Sequence, residues 1–196
     1  MELVKALYYK LMSSGSPREL KRFNHSLGVA FKALEIIDDN KLDVDKEKAF
    51  LAGLLHDYSK FTTLDEYREL IKEYNLDSSL IDENEKILHG VIGYKVVEKE
   101  LGITDKEVLS AIENHVVGNG NMSTLDEVIY LADYIENNRD GEEYAIAREI
   151  AKTDYKKAIA YECDEILKYL IGKNAKINEN TYLMYASYKK YLNDEK

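Results

Sequence analysis

The chain has 196 residues with one cysteine, one proline and ten glycines, and its acidic side chains outnumber the basic ones 37 to 27. A chain of this length can build a core without disulfides, and the lone Cys163 permits no intramolecular bridge, which points to a reducing, cytoplasmic setting. The acidic balance argues against a surface that binds nucleic-acid polymers through neutralised phosphates, and the longest apolar run, Ala49 to Leu55, has seven residues, far short of a membrane span.

A single proline and apolar positions recurring every three or four residues predict an all-α protein. Helices are expected at roughly 2–13, 17–38, 45–58, 64–74, 85–101, 105–117, 124–138, 142–152, 155–171 and 179–193. Ser16-Pro17-Arg18-Glu19 combines an N-cap serine, a proline at the first helical position and a glutamate at N3. Thr63-Leu64-Asp65-Glu66 and Thr104-Asp105-Lys106-Glu107 repeat the capping-box pattern. Gly102, Gly118 and Gly172 stand where a left-handed residue closes a helix. No linker divides the chain, so residues 1–196 are expected to form one domain, with its motifs at about 17–140 and structural helices at about 142–193. The last two helices are rich in tyrosine and lysine and lack histidine, as expected of packing elements or of a homodimer surface.

The four histidines carry the chemical signal. One histidine on an apolar helix is ordinarily a hydrogen-bonded core residue, but all four here are crowded by small or apolar neighbours. His25 precedes Gly28 and Val29, His56 ends the run Ala49 to Leu55, His89 precedes Gly90 and Gly93, and His115 closes the stretch from Val108. Helices that each aim one histidine inward are how bundles build metal sites. Asp57 and Asp133 also follow apolar runs, and a buried carboxylate is costly unless a cation compensates it. Side chains adjacent on a helix diverge by about 100°, so His56-Asp57 suits a cation beyond the helix end or an aspartate bridging two cations. The donors are nitrogen and oxygen only, which fits iron, manganese or another divalent ion better than a structural cysteine–zinc site. Cys163 lies on an apolar helical stripe and reads as a core residue. Gly118-Asn119-Gly120 reads as a turn, and Asp82-Glu83-Asn84-Glu85 lacks the spacing of a calcium loop.

The series His-Ser-Leu-Gly-Val-Ala, Ala-Gly-Leu-Leu-His-Asp-Tyr-Ser-Lys, His-Gly-Val-Ile-Gly, a fourth histidine, and Leu-Ala-Asp-Tyr-Ile-Glu-Asn-Asn-Arg runs from Arg22 to Arg139. In order and content it resembles the HD-domain metal-dependent phosphohydrolases, and most closely their YqeK branch. The resemblance implies an all-α HD-domain helical bundle with a metal centre between helices. It implies hydrolysis of diadenosine tetraphosphate symmetrically to two ADP. It further implies one metal on His25, His56, Asp57 and Asp133, with Asp57 bridging to a second that His89 and His115 complete, so one or two ions per chain, with iron the first expectation. Asn137 stands where the family pattern has proline, and Val116-Val117 where it has threonines. These departures touch substrate preference and leave the ligands intact.

The implied reaction is hydrolysis without a covalent enzyme intermediate, in which a metal acidifies its bound water and the protein positions and neutralises phosphate. On an acidic chain the neutralising cations must be local. Lys60, four residues after His56, Arg139 beyond Asp133, and Arg22, three before His25, are the candidates for phosphate contact, and Asp57 and Lys60 for the reaction itself. Lys60 falls on the side of His56 if that helix continues, and Arg139 requires the end of its helix to bend inward. The rival readings are another HD nucleotidase or phosphodiesterase, acting on a cyclic dinucleotide, a guanosine alarmone or a nucleoside monophosphate, and a non-catalytic, metal-stabilised nucleotide-binding module. Lys95 after Gly93-Tyr94 departs from the Gly-Tyr-Pro signature of the cyclic-dinucleotide branch.

Overall fold

The structure, a computed structural model, describes residues 2–192. Eleven α-helices and no strand occur among the described residues: α1 (Glu2–Met12), α2 (Glu19–Asn40), α3 (Lys46–Leu55), α4 (Leu64–Glu73), α5 (Glu85–Val91), α6 (Gly93–Leu101), α7 (Lys106–Asn114), α8 (Thr124–Ile135), α9 (Glu142–Ala151), α10 (Tyr155–Gly172) and α11 (Glu179–Tyr188). Short 3₁₀ turns follow at Ser78–Asp82 and Lys189–Leu192. No helix among the described residues is long and apolar enough to cross a membrane.

Several predicted boundaries shift for local reasons. The Thr63 capping box forms as expected, its hydroxyl accepting from Glu66 N–H while the Glu66 carboxylate returns to the Thr63 backbone. At α7 the cap is Asp105 rather than a Thr104 box, because a carboxylate one residue on accepts from both Glu107 and Val108 N–H. The Ser16 cap is absent: Ser16 Oγ accepts from Arg18 N in a tight turn, and α2 starts two residues beyond the proline. The expected 85–101 helix breaks at Ile92 into α5 and α6, where Gly93 lies against Ser59 so closely that a Cβ would stand 2.5 Å from its hydroxyl. Gly102 and Gly118 take left-handed conformations, but α10 runs through Gly172, and Asn174 takes the positive φ instead. The 179–193 helix stops at Tyr188 and tightens into the turn to Leu192; Asn193 lies outside the described residues.

Helix α8 holds the centre. Every residue from Leu125 to Ala132 is buried, as is Ile135, so this helix is enclosed on all sides rather than amphipathic. Helices α2, α3 and α7 pack around one side of it and α10 covers another. Each fully buried aliphatic residue here, such as Leu131 or Ile129, contributes roughly 1.5–3 kcal/mol. The pairing of α2 with α3 depends on Gly53, where a Cβ would lie 2.8 Å from Ala30 Cα. Only glycine permits that approach, and it brings the His25 end of α2 to the His56 end of α3. On the far side, α11 packs on α10, and the hydroxyls of Tyr155 and Tyr188 donate to the buried Glu127 of α8.

Candidate metal centre

Helix ends converge on one interior point. His25 sits in the second turn of α2, His56 and Asp57 follow the last residue of α3, His89 lies on α5, His115 caps α7, and Asp133 lies in the last turn of α8. All four histidines and Asp57 are buried, while the Asp133 side chain retains 22% exposure. The backbone leaves the α-helix at Leu55 and continues in tight turns, Tyr58 N to Leu55 O and Lys60 N to Asp57 O. Asp57 therefore points inward beside His56, where a continued helix would have separated them.

The geometry divides about Asp57. His25 Nε2 and His56 Nε2 lie 3.6 and 3.4 Å from Asp57 Oδ2, and they stand 3.3 Å from each other. Asp133 Oδ1 approaches the same pair, 2.9 Å from His25 Nε2 and 3.9 Å from His56 Nε2. On the other side, His89 Nε2 and His115 Nε2 lie 3.2 and 3.9 Å from Asp57 Oδ1 and 3.3 Å from each other. Three ligand sets with donor atoms within 4.8 Å of one another result: His25–His56–Asp57, His56–His115–Asp133 and Asp57–His89–His115.

The chemistry of the donors fits cations. Each Nδ1 faces an obligate acceptor: Gly53 O for His56 at 2.7 Å, Glu85 O for His89 at 3.2 Å, Ile112 O for His115 at 2.6 Å, and the Glu136 carboxylate for His25 at 3.1 Å. Each Nδ1 thus carries a hydrogen, and each ring presents its Nε2 to the interior. Two pairs of Nε2 atoms at 3.3 Å then repel unless a positive charge lies between them. Asp57 Oδ1 is buried and accepts no well-aligned hydrogen bond, which is costly for a carboxylate. Both features would be relieved by cations bound among these donors.

The chain's own cations surround this centre. Arg22 pairs with Asp57 Oδ2, Lys60 Nζ lies 2.8 Å from His89 Nε2 and 3.3 Å from Asp57 Oδ1, and Arg139 donates at 2.7 Å to Asp133 Oδ1 and at 3.1 Å to its backbone oxygen. All three residues expected to meet phosphate are thus brought together. Lys60 arrives through the turn rather than along a continued α3, and Arg139 through the end of α8 at Ile135, after which the chain bends. Burial alone would raise Asp57 and Asp133, yet His56 and Lys60 beside the first, and His25 and Arg139 beside the second, hold both well below the usual carboxylate range. Burial would lower His25, but Asp133 and Glu136 prevail and raise it to about 8. His115 is driven well below its ordinary value by burial and by His56 and His89.

Glu136, Asn138 and Arg148 are site residues without an assigned role in the sequence reading. Glu136 stands within the Leu-Ala-Asp-Tyr-Ile-Glu stretch, and its position one turn after Asp133 is the signal that could have marked it. A cavity of about 320 Å³ opens beside His25 and Glu136, lined also by Lys21, Arg22, Arg139 and Tyr144. Of the clustered residues it reaches His25, and its charged lining is mixed, with Lys21, Arg22 and Arg139 against Glu136 and Asp140.

Residues 22–138 match the HD domain family. The chain is 33% identical to the "Bis(5'-nucleosyl)-tetraphosphatase, symmetrical" of Bacillus subtilis, over 84% of this chain and 87% of that one. It is 36% identical to the protein of the same name from Halalkalibacterium halodurans, over 89% and 91% of the two chains. Among solved structures, a predicted HD superfamily hydrolase involved in NAD metabolism from Clostridium acetobutylicum superposes with a TM-score of 0.83 at 33% identity, covering 94% of this chain and 95% of that one. An all-helical frame that gathers four histidines and two aspartates at its helix ends, a family match over residues 22–138, and 33–36% identity to these relatives over most of both chains leave one assignment: the chain belongs to the HD-domain family, in the branch that holds the symmetrical bis(5'-nucleosyl)-tetraphosphatases.

Proposed function

We propose that this chain hydrolyses diadenosine tetraphosphate symmetrically, adding water across the central phosphoanhydride to release two ADP. The observation that carries the reading is Asp57, whose two carboxylate oxygens face different histidine pairs while Arg22 and Lys60 flank it. His25, His56, Asp57 and Asp133 would hold one cation, and Asp57, His89 and His115 a second, with iron the first candidate and manganese the next. Such ions supply Lewis acidity toward phosphoryl oxygens and a nucleophile usable at neutral pH.

The chain's residues do the rest. Backbone carbonyls and Glu136 fix all four imidazole tautomers before substrate arrives, so no reorganisation is needed during the reaction. Arg22, Lys60 and Arg139 end beside the cluster, so a polyphosphate seated there meets three positive charges on a chain whose net charge is −10. Lys21, Arg139 and Tyr144 along the 320 Å³ cavity suit the remaining phosphates and one nucleoside. Burial of the centre keeps bulk solvent from weakening these contacts. Tyr169 and Ile171 on α10 and Tyr182 and Leu183 on α11 are exposed, and a homodimer surface is expected on these two helices.

The test is protein purified without oxygen or chelator, its metal counted, then incubated with diadenosine tetraphosphate and the products resolved. ADP as sole product supports the reading. AMP with ATP overturns the symmetrical cut, and metal without turnover directs attention to other nucleotides.

A further inference from the structure

Three of the four cluster histidines rest their Nδ1 on a backbone carbonyl, and His25 alone rests it on a carboxylate. That carboxylate is held with unusual care. Glu136 is 1% exposed at the end of α8. Its Oε1 lies 3.1 Å from His25 Nδ1, and its Oε2 accepts from the backbone N–H and the side-chain amide of Asn138, each at 2.8 Å. Gly28 on α2 makes the room, since a Cβ there would stand 2.5 Å from Glu136 Oε2. Arg148 of α9 fastens the segment from outside. Its guanidinium donates to the carbonyls of Ile135 at 2.8 Å, of Glu136 at 3.0 Å, and of Arg139.

We infer that Glu136 is a positioning residue which sets the tautomer of His25, and thereby the affinity of the centre for its cation on that side. This rests on the metal reading given above. The argument is one of donors and acceptors. An ionised carboxylate only accepts, so it compels His25 Nδ1 to carry the hydrogen and frees Nε2 to ligate. An amide of the same shape has one accepting oxygen and one donating nitrogen. The backbone N–H of Asn138 is a donor that cannot turn around, so it claims the oxygen and leaves the amide nitrogen facing His25. Nδ1 must then accept, the hydrogen moves to Nε2, and the lone pair that faced the cation is lost.

The prediction separates tautomer control from shape. Glu136→Gln preserves volume and should disturb the site more than Glu136→Ala, which removes the partner but compels neither tautomer. A merely structural role predicts the opposite order, because Gln fills the space and Ala leaves a hole.

The experiment uses the full chain, stripped of metal and titrated with zinc(II) against a chromophoric chelator. Glu136→Gln is expected to weaken one zinc by about 100-fold and Glu136→Ala by about 10-fold, the span for partners of metal-bound histidines. In zinc-loaded, ¹⁵N-labelled wild-type protein, His25 should show a downfield hydrogen on Nδ1. Zinc affinity of Glu136→Gln equal to wild type, or reduced less than that of Glu136→Ala, overturns the inference. So does wild-type protein whose zinc-bound His25 lacks the Nδ1 hydrogen, a result that needs no variant to fold. Wild type that takes up no zinc overturns the metal reading as well, and uptake with unaltered Glu136→Gln binding overturns this inference alone.

Discussion

Asp57 Oδ1 lies 3.2 Å from His89 Nε2, on the opposite side of the carboxylate from the Oδ2 that faces His25 and His56. One side chain thereby joins two halves of a centre assembled from five helices. The arrangement exists because α3 ends at Leu55 and the following tight turn aims His56 and Asp57 into the same interior.

Removing that bridge should abolish turnover while leaving the fold. Asp57→Ala is expected to lower the rate of ADP formation by about 10³-fold or more and to reduce bound metal below that of the wild type. Metal counting, product analysis and circular dichroism on one preparation check this. Wild-type turnover, or full metal content, in the variant would remove Asp57 from the role assigned to it.

Lys60→Met and Arg139→Met should each reduce kcat/KM by about 10- to 100-fold, or roughly 1.4–2.8 kcal/mol, the size of a lost charged hydrogen bond. Metal content should be retained, because neither side chain is a ligand. Arg139→Lys is not a conservative change, since the guanidinium spans both Asp133 Oδ1 and its backbone oxygen and an ammonium does so poorly. Steady-state kinetics with fixed metal occupancy distinguish these outcomes.

Gly53→Ala tests the helix crossing. Its new methyl would lie 2.8 Å from Ala30 Cα, so α2 and α3 must move apart, at a cost of about 1–3 kcal/mol. The His25–His56 spacing opens with them, and zinc affinity should fall alongside stability. Urea denaturation paired with zinc titration measures both, and unchanged values in the two would rule out the close approach.

Glu162 gives a pH signature outside the centre. This α10 carboxyl is 3% exposed, its Oε2 has no hydrogen-bond partner, and burial, together with the charge of Asp133, raises it well above the ordinary carboxylate range. The folded protein therefore keeps the proton that the unfolded chain releases above about pH 4.3. Stability associated with this group is complete at lower pH and declines as pH rises toward the elevated folded value. Glu162→Met should be more stable than wild type at pH 8, with the gap closing toward pH 4. A Tm difference independent of pH would contradict this.

Chelation should cost stability as well as activity. A ligand present at a hundred times its Kd stabilises the fold by about 2.7 kcal/mol, so stripped protein should melt earlier and recover on adding manganese or zinc. Calorimetry with and without chelator reads the difference.

Much of this was legible in the chain itself. Helix periodicity, the Thr63 box and the isolated histidines beside glycines are local patterns, and local patterns determine that the protein is helical and which residues are candidates for chemistry. The motif series from Arg22 to Arg139 likewise named the four histidines, the two aspartates and the three cations that the fold gathers at one point. The cap at Asp105, the break at Ile92 and the turn after Leu55 depended on competition between neighbouring donors and on packing, which periodicity does not report. Glu136 was in view within a quoted motif but had no role there, because its partner His25 is 111 residues away. Only the tertiary structure decided that Gly28 leaves space for that carboxylate, that Arg148 fastens the chain behind it, and that Asp57 divides its oxygens between two histidine pairs. Spacing along a helix says which face a residue shares. The distance between helices is set by what their contact surfaces permit, here a glycine against an alanine at Gly53 and Ala30, and the centre exists at that distance.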